Sequence, residues 1–303
     1  MTLRASLTAI ALLACGAAAA QGFSFALLGD MPYWPDEETQ FVDLLREINH
    51  EDVAFVVHVG DFKNGSSSCA DTVFEQRREM FAASRHALIY LPGDNEWTDC
   101  WRPFAGGFDP LERLARLREI FFREPISLGM QPLPLTRQSD AATGHPYPEH
   151  VRWTHGKVLF AGFNLPGGDN NLRRMPQEHA QRDAAARDWL KQAFALARSQ
   201  KLGAVVLMMQ ANPFTESLRP RRGYTEFLEL LAHETAGFGG RVLLVNGDTH
   251  RHRVDQPLRH PDTREPLPNF TRVEVFGSPR INWVRVRAVE DGVRIGFEVS
   301  PGR

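Results

Sequence analysis

The sequence predicts an α/β domain in which strands and helices alternate and further strands follow at the end. Short apolar runs, many of them β-branched, alternate with segments of helical periodicity up to residue 245. After residue 270 the helical segments stop, and three strand-like runs follow. This order is typical of layered α/β domains. No internal repeat or linker divides the chain, so we expect residues 21–303 to form one domain.

The individual elements are predicted from apolar periodicity and from signals at their ends. Asp71 and Asp109 are suitable N-caps, and Pro110 is favoured at the first helical position. Asp291-Gly292 predicts a hairpin turn between the last two strands. The predicted strands cover residues 23–28, 53–59, 87–91, 158–163, 204–209, 242–245, 272–276, 283–289 and 293–299, the last three antiparallel. The predicted helices cover residues 35–49, 71–84, 109–122, 177–199 and 224–233.

Residues 124–150 form the longest segment without periodicity. They are rich in Pro, Gly, Ser and Thr. A connection of this length without regular structure is uncommon in a compact domain and is often functional. Two interpretations stay open, a substrate lid and an insertion without a role in binding.

Composition and charge exclude several classes of protein. Of the 303 residues, 43% are hydrophobic and 24% are charged, which excludes a disordered or collagen-like chain. The formal net charge of −2 argues against a nucleic-acid-binding protein, which usually carries a basic excess. No apolar run approaches the roughly 20 residues of a membrane-spanning helix. We therefore expect neither a nucleic-acid partner nor a transmembrane segment.

The N-terminus has the features of an export signal. Arg4 precedes an apolar run over residues 7–14, and Ala18-Ala19-Ala20 forms a small-residue cleavage site. We therefore expect residues 1–20 to be a signal peptide and the protein to be periplasmic or secreted. Leu12-Leu13-Ala14-Cys15 also resembles a lipoprotein processing box. Lipid attachment at Cys15 would leave a very short tether before the first strand, so we favour simple export.

Cleavage at this site leaves two cysteines, Cys69 and Cys100. An even number of cysteines in an exported chain favours a disulfide over two buried thiols. We expect the bridge to limit the motion of the loops that carry it.

Four apolar runs end in the same dipeptide. The pairs are Gly29-Asp30, Gly60-Asp61, Gly93-Asp94 and Gly247-Asp248. Ligands of α/β sheets bind at the carboxyl ends of strands, and aspartate is a hard oxygen ligand. If these strands share an edge, the carboxylates repel one another unless a divalent cation neutralises them.

At these motifs the sequence resembles the calcineurin-like metallophosphoesterases. That family carries Asp-x-His, Gly-Asp-x-x-Asp, Gly-Asn-His-Asp/Glu, a lone His and Gly-His-x-His, each after a strand. The matching segments here begin at residues 29, 58, 93, 209 and 247, and the resemblance covers residues 23–252. It implies a four-layer α/β/β/α sandwich, in which the terminal strands suit the second sheet. It also implies metal-dependent hydrolysis of a small phosphate mono- or diester.

Several positions depart from the family pattern. Pro32 replaces the first histidine, with Tyr33 beside it; Asn95 replaces the histidine near the leaving group. The resemblance implies one metal site from Asp30, Asp61 and His250. It implies a second site from Asp61, Asp94, Gln210 and Asp248.

This altered ligand set changes the metal preference and the charge. Carboxylate and amide oxygens suit Mg²⁺, Mn²⁺ or Ca²⁺ better than Zn²⁺ or Fe. Four aspartates would cancel two dications, whereas the family pattern leaves a net +2. A unit-charge contact is worth about 4 kcal/mol at 4 Å in a medium of effective dielectric 20. A less charged substrate such as a phosphodiester, a single metal ion and lost catalysis all stay open.

Asn95 does not titrate, so another residue has to protonate the leaving group. His252 is the nearest candidate, since the pKa of histidine suits proton transfer near neutral pH, and a surface histidine is its alternative. Asp99 and His58 are weaker candidates, and His58 fits a structural role. Trp97 and Trp101 line the pocket or pack in the core. Residues 167–174 present Asn170, Asn171 or Arg173 to a phosphate, or form an ordinary exposed loop.

Three functions therefore follow from the sequence. The first is an exported metal-dependent phosphoesterase. The second is a catalytically silent relative that binds a metal or ligand. The third is a binding protein whose Gly-Asp turns are coincidental.

The signal and the bridge are tested together by intact mass. We expect protein exported from a bacterial host to begin at Gln21 and to gain no mass on alkylation without reductant. Retention of residues 1–20, or alkylation of both cysteines before reduction, would contradict these two expectations respectively. The control is the same sample alkylated after reduction.

Overall fold

A computed structural model describes residues 22–141, 144–214, 222–291 and 294–302. The expected signal peptide, Cys15 and Gly292 of the expected hairpin turn lie outside these residues. Within the described part, no helix is long and apolar enough to cross a membrane.

The elements alternate as the periodicity predicts, with additional short strands. The strands are β1 (Gly22–Leu28), β2 (Phe55–His58), β3 (Ala87–Tyr90), β4 (Thr136–Arg137), β5 (Val151–His155), β6 (Val158–Gly162), β7 (Ala204–Met208), β8 (Arg241–Asn246), β9 (Arg253–Asp255), β10 (Phe270–Glu274), β11 (Val284–Asp291) and β12 (Arg294–Pro301). The helices are α1 (Pro35–Asn49), α2 (Asp71–Ala82), α3 (Pro110–Phe121), the single turn α4 (Gly167–Asn170), α5 (Pro176–Ser199) and α6 (Thr225–Ala236). Asp109 caps α3 as predicted, whereas Asp71 lies inside α2, whose N-cap is Ala70.

The strands form two sheets with parallel centres. The first has the order β12-β11-β1-β2-β3, and the second has the order β4-β5-β6-β7-β8-β10-β9. Strands β1, β2 and β3 are parallel to one another, as are β6, β7, β8 and β10. The carboxyl ends within each parallel set therefore lie at one edge.

Alternation along the buried strands builds the layers. Val206 of β7 belongs to a core between the sheets, whereas its neighbours Val205 and Leu207 belong to a core under α5 and α6. The cluster that contains Val206 also includes Phe41, Phe74 and Leu114 of helices α1, α2 and α3. This is the predicted α/β/β/α sandwich. Strands buried on both faces explain the continuous apolar runs of the sequence.

The terminal strands are divided between the two sheets. β10 joins the second sheet and runs parallel to β8, so the prediction that it is antiparallel to its neighbours holds only toward β9. β11 pairs antiparallel with β1, and β12 pairs with β11, so both extend the first sheet rather than the second. The pairing with β11 satisfies the backbone of β1, which would otherwise be an edge strand.

The aperiodic segment 124–150 ties the edges of the two sheets together. Leu128 bridges Leu88 of β3, and β4 pairs antiparallel with β5. Its short strands lack a detectable period because they are two residues long or single bridges. These contacts run along the sheet edges.

The predicted disulfide is present. Cys69 and Cys100 are bonded, with their Cα atoms 5.8 Å apart, and both are fully buried. Cys69 begins the approach to α2, and Cys100 follows the tip of β3. The bond therefore joins the loops that follow β2 and β3.

Removal of this bond should destabilise the fold. The bond joins positions that are 31 residues apart, so the Cys69→Ser/Cys100→Ser double variant should lose about 4 kcal/mol in the free energy of unfolding. Urea denaturation of the double variant against the oxidised wild type measures the loss. Wild type in reductant is the control, and unchanged stability in all three samples would contradict the expectation.

Candidate metal centre

The strand ends bring the predicted aspartates to one place. Asp30, Asp61 and Asp94 follow β1, β2 and β3, and Asp248 follows β8 of the other sheet. Asp30 and Asp61 are 0% and 3% exposed, whereas Asp94 and Asp248 are half-buried. Solvent therefore reaches the cluster at Asp94 and Asp248.

Direct contacts connect the four tips. The Asp248 amide donates to both carboxylate oxygens of Asp30 at 3.1 Å. Asp94 lies close enough to Asp61 for its charge to raise the pKa of the Asp61 carboxyl, after burial as the main cause. A Cβ added to Gly167 would lie 2.6 Å from Asp94 Oδ2 and 3.1 Å from Asp248 Oδ1, so these two carboxylates face the same point. The structure thus brings together aspartates that are far apart in sequence.

The backbone at these tips is left-handed. Asp30, Asp61, Asp248 and His250 have φ values of 52°, 57°, 81° and 60°. Such a conformation costs a non-glycine residue about 1–3 kcal/mol and is typical of functional sites. Glycines allow the close approach, since a Cβ on Gly93 would lie 2.0 Å from Asp61 Oδ1.

Burial and mutual repulsion raise the pKa of the clustered carboxyls. Burial is the main cause at Asp30 and Asp61, and the charge of Asp94 adds to it at both. Burial, then the charges of Asp99 and Asp248, raises the pKa of Asp94 to about 8. The cluster therefore resists the simultaneous ionisation of its members.

Amide side chains surround the central aspartate. Asn95 donates to Asp61 through its backbone N–H at 3.0 Å and through Nδ2 at 2.9 Å. Gln210 Nε2 donates to Asp61 Oδ2 at 3.0 Å, while Gln210 Oε1 accepts the Gly167 N–H at 2.6 Å. Asn95 and Gln210 are thus both in contact with Asp61, and their amide nitrogens face its carboxylate.

Tyr33 and His250 complete the side of the site near Asp30. The Tyr33 hydroxyl lies 3.2 Å from His250 Nε2, 3.1 Å from Asn95 Nδ2 and 3.4 Å from Asp61 Oδ2. His250 Nε2 is 3.8 Å from Asp30 Oδ1, and its Nδ1 contacts the Ser278 carbonyl at 2.7 Å. Tyr33, which follows Pro32 in the sequence, thus contacts both Asp61 and His250.

The candidate acids lie in different environments. His252 Nδ1 contacts the Glu274 carbonyl at 2.8 Å, and its ring stacks on Phe276 at 4.5 Å between centroids. Asp99 pairs with Arg102 at 2.7 Å. His58 is fully buried between the Met31 carbonyl and the Gly60 amide, and burial lowers its pKa to about 4. These contacts support the structural role predicted for His58.

Two buried charged residues were not assigned a role from the sequence. Glu96 Oε1 accepts hydrogen bonds from the amides of Asp61 and Gly93 and from the Tyr90 hydroxyl. Lys63, 1% exposed, donates from Nζ to the Asn64 and Asn95 carbonyls at 2.9 and 2.7 Å. Both lie in the segments that begin at residues 58 and 93, but nothing in the sequence indicates that they are buried.

The residues 167–174 and the tryptophans are also placed. Trp97 is a fully buried core residue, whereas Trp101 is 40% exposed. Asn170 accepts a hydrogen bond from Arg182, and Asn171 donates to Glu178. Arg173 pairs with Asp169 at 3.5 Å, and Arg174 stacks on Trp101.

The donor set fits a divalent ion in chemistry but not as a preformed cage. Within the described ranges, no group of three or more His, Cys, Asp and Glu side chains is arranged to hold a metal ion. Buried carboxyls with raised pKa values and left-handed tips are nevertheless the oxygen donors that a hard cation would neutralise. Gln210 would have to turn its amide to become a ligand.

The comparisons identify the class of protein to which this fold and site belong. The family model for calcineurin-like phosphoesterases matches residues 23–252. The chain therefore belongs to the calcineurin-like phosphoesterase family. No curated protein matches the sequence significantly.

Three solved structures match this chain at low sequence identity. A structure of PhoD is 13% identical with a TM-score of 0.57, covering 94% of this chain and 69% of that one. Vps29 from Cryptosporidium parvum is 11% identical with a TM-score of 0.36, covering 92% and 97%. A single mutant of Vps29 from Entamoeba histolytica is 9% identical with a TM-score of 0.31, covering 92% and 99%.

The raised pKa of Asp94 predicts how stability varies with pH in the absence of a divalent ion. The unfolded aspartate loses its proton near pH 3.8, whereas folded Asp94 keeps it up to about pH 8. The folded state binds more protons between these values, so the free energy of unfolding should fall with rising pH by about 1.4 kcal/mol per unit for such a group. Urea denaturation at several pH values in chelator measures the slope.

The matched variants are Asp94→Asn and Asp43→Asn. The first should flatten the slope. The second should keep it, because Asp43 is an exposed partner of a surface ion pair. An identical slope in wild type and Asp94→Asn would contradict the assignment to Asp94.

Proposed function

We propose that this protein is an exported phosphoesterase that uses one or two divalent metal ions to hydrolyse a phosphate mono- or diester. The observation that carries the proposal is the convergence of Asp30, Asp61, Asp94 and Asp248 in one cluster. A charge arrangement of this kind is costly without a cation. We propose Mg²⁺, Mn²⁺ or Ca²⁺ in preference to Zn²⁺ or Fe, because the donors are mostly oxygens.

We assign the ligands as the family pattern suggests. Asp30, Asp61 and His250 would hold one ion. Asp61, Asp94, Asp248 and Gln210 would hold a second. A divalent ion bound there would polarise the phosphoryl group and lower the pKa of water.

The chain's own residues would bind and orient the substrate. Asn95 Nδ2 donates to Asp61 and to the Tyr33 hydroxyl, and a bound phosphoryl oxygen would take the place of one of these acceptors. The Tyr33 hydroxyl keeps its proton, because burial and then the charge of Asp61 raise its pKa well above 10.0. His252 stays the proposed proton donor for the leaving group; its Nδ1 is directed to a backbone carbonyl, which leaves Nε2 for that role.

Export is supported by two observations. The N-terminal residues 1–20 have the pattern of a signal peptide, and the Cys69–Cys100 disulfide suits an oxidising compartment. We propose that the protein is periplasmic or secreted.

A catalytically silent relative is the second candidate. It is favoured by the saturation of Asp61, whose oxygens already accept from Asn95, Gln210 and Tyr33. Hydrogen bonds from neutral donors satisfy a carboxylate without supplying a cation. Such a protein would bind a metal or ligand and turn over no phosphoester.

Hydrolysis of bis-p-nitrophenyl phosphate and p-nitrophenyl phosphate with Mn²⁺ or Mg²⁺ tests the proposal. Loss of a residue that supports a metal ligand costs about 10–100-fold in activity or affinity. Asp61 is itself a proposed ligand of both ions, so Asp61→Ala should lower kcat/KM at least about 100-fold. Asp43→Ala, a change at the surface, should leave activity unchanged. Chelator should abolish activity, and added Mn²⁺ should restore it.

The two candidates separate in the same samples. Equal hydrolysis by wild type and Asp61→Ala would remove the enzyme proposal. Stoichiometric Mn²⁺ binding that depends on Asp61, without hydrolysis, would favour the silent relative. Absence of Mn²⁺ binding would contradict both metal-based functions.

A further inference from the structure

We propose that Trp101 and Arg174 form a platform that binds a planar aromatic group of the substrate beside Asp94. This inference rests on the proposed function, because it assumes that the phosphoryl group lies at the carboxylate cluster. It assigns a substrate class, an aromatic or nucleobase-bearing phosphoester, that nothing in the family match specifies.

The first half of the platform is held by the loop that starts at Asp94. The Asp94 carbonyl accepts the backbone N–H groups of Trp97 at 3.3 Å and of Asp99 at 3.0 Å. Arg102 in turn donates its N–H to the Asp99 carbonyl at 3.0 Å. These turns tie residues 94–102 into a compact loop, so Trp101 is held close to Asp94.

The second half comes from the loop after β6. A Cβ added to Gly168, an exposed residue, would lie 3.7 Å from Asp94 Oδ2. The chain then turns back twice, with Leu172 N–H donating to Asp169 and Arg174 N–H donating to Asn171. These two turns shorten the path of the chain between Gly168 and Arg174.

The two loops meet again at the platform. The Arg174 guanidinium carbon lies 3.5 Å from the centroid of the Trp101 ring. The loops of residues 94–102 and 167–174 are therefore close to each other at Asp94 and again at the Trp101–Arg174 pair. The Cys69–Cys100 disulfide holds the first of these loops, because Cys100 immediately precedes Trp101.

Exposure distinguishes Trp101 from its neighbours. Trp97 and Cys100 are fully buried, whereas Trp101 is 40% exposed and Arg174 is exposed. The loop thus leaves a large aromatic side chain in contact with water, although its other apolar members are buried. The Trp101 ring is partly exposed and is already held in place by the Arg174 guanidinium. It can therefore stack on a ligand with little further loss of side-chain entropy.

The charges around the platform suit an anion with a flat substituent. Arg102 pairs with the Asp99 carboxylate at 2.7 Å, and Arg174 stacks on Trp101, the residue directly before Arg102. These guanidiniums place positive charge next to an acidic centre that would otherwise repel a phosphate. Indole and guanidinium planes stack on many different aromatic rings. The platform therefore predicts a class of aromatic substrates and not one particular molecule.

Binding of two phosphonates tests the platform without catalysis. 1-Naphthylmethylphosphonate and methylphosphonate share a head group and carry a carbon–phosphorus bond that a phosphoesterase does not cleave. In calorimetry of the full protein with Mn²⁺, wild type should bind the naphthyl ligand about tenfold more tightly, as expected for one aromatic stack. Trp101→Ala should reduce this ratio to below about threefold, and Trp101→Phe should restore most of it.

Arg173 provides the matched control for Arg174. Both arginines are exposed on the same loop, but Arg173 pairs with Asp169 and Arg174 stacks on Trp101. Arg174→Ala should lower the naphthyl-to-methyl ratio, whereas Arg173→Ala should leave it unchanged. Equal lowering by both variants would indicate general charge and would overturn the platform.

The outcomes separate this inference from the proposed function. An unchanged ratio in Trp101→Ala, or no preference in wild type, would overturn the platform even if phosphodiesters are hydrolysed. A Trp101-dependent preference without any hydrolysis would support the platform and contradict the proposed activity.

Discussion

The repulsion among buried carboxylates is the constraint on which the rest of this structure depends. Asp30 and Asp61 are removed from water, and Asp94 and Asp248 face the same point from two sheets. Burial and like charge raise the pKa values of Asp30, Asp61 and Asp94. The fold tolerates this only because protons, hydrogen bonds or a cation reduce the charge.

The scaffold holds the cluster through contacts on every tip. Glu96 joins the tips after β2 and β3 by accepting hydrogen bonds from their backbone amides. Lys63 donates a hydrogen bond to the carbonyl of Asn95. The Cys69–Cys100 bond ties the same two loops farther out. Left-handed residues can persist at Asp30, Asp61 and Asp248 because so many neighbouring contacts hold them in place.

The replaced histidines change what this member of the family can recognise. Asn95 replaces the family's histidine near the leaving group, and Gln210 and Asp248 replace two of its ligand histidines. The centre therefore carries more negative charge and more amide donors than the family pattern. Under the proposed function, a phosphoester substrate would gain less from the metal charge and more from groups at the rim. This is the physical reason to look for recognition at Trp101 and Arg174 as well as at the carboxylates.

The four-layer sandwich followed from the resemblance to the family, whereas the sequence by itself determined the alternation of strands and helices, the aspartates at the strand ends and the disulfide. Those features are local, since apolar periodicity and strand-ending Gly-Asp pairs are readable in short windows, and cysteine parity needs no structure. Tertiary structure alone decided that β11 and β12 extend the first sheet, because strand partners come from distant parts of the chain. It also decided that Lys63 is buried while Trp101 is exposed, and which atoms of Gln210 face Asp61. Burial and side-chain direction depend on every layer packed around a residue, and no single stretch of sequence contains that information.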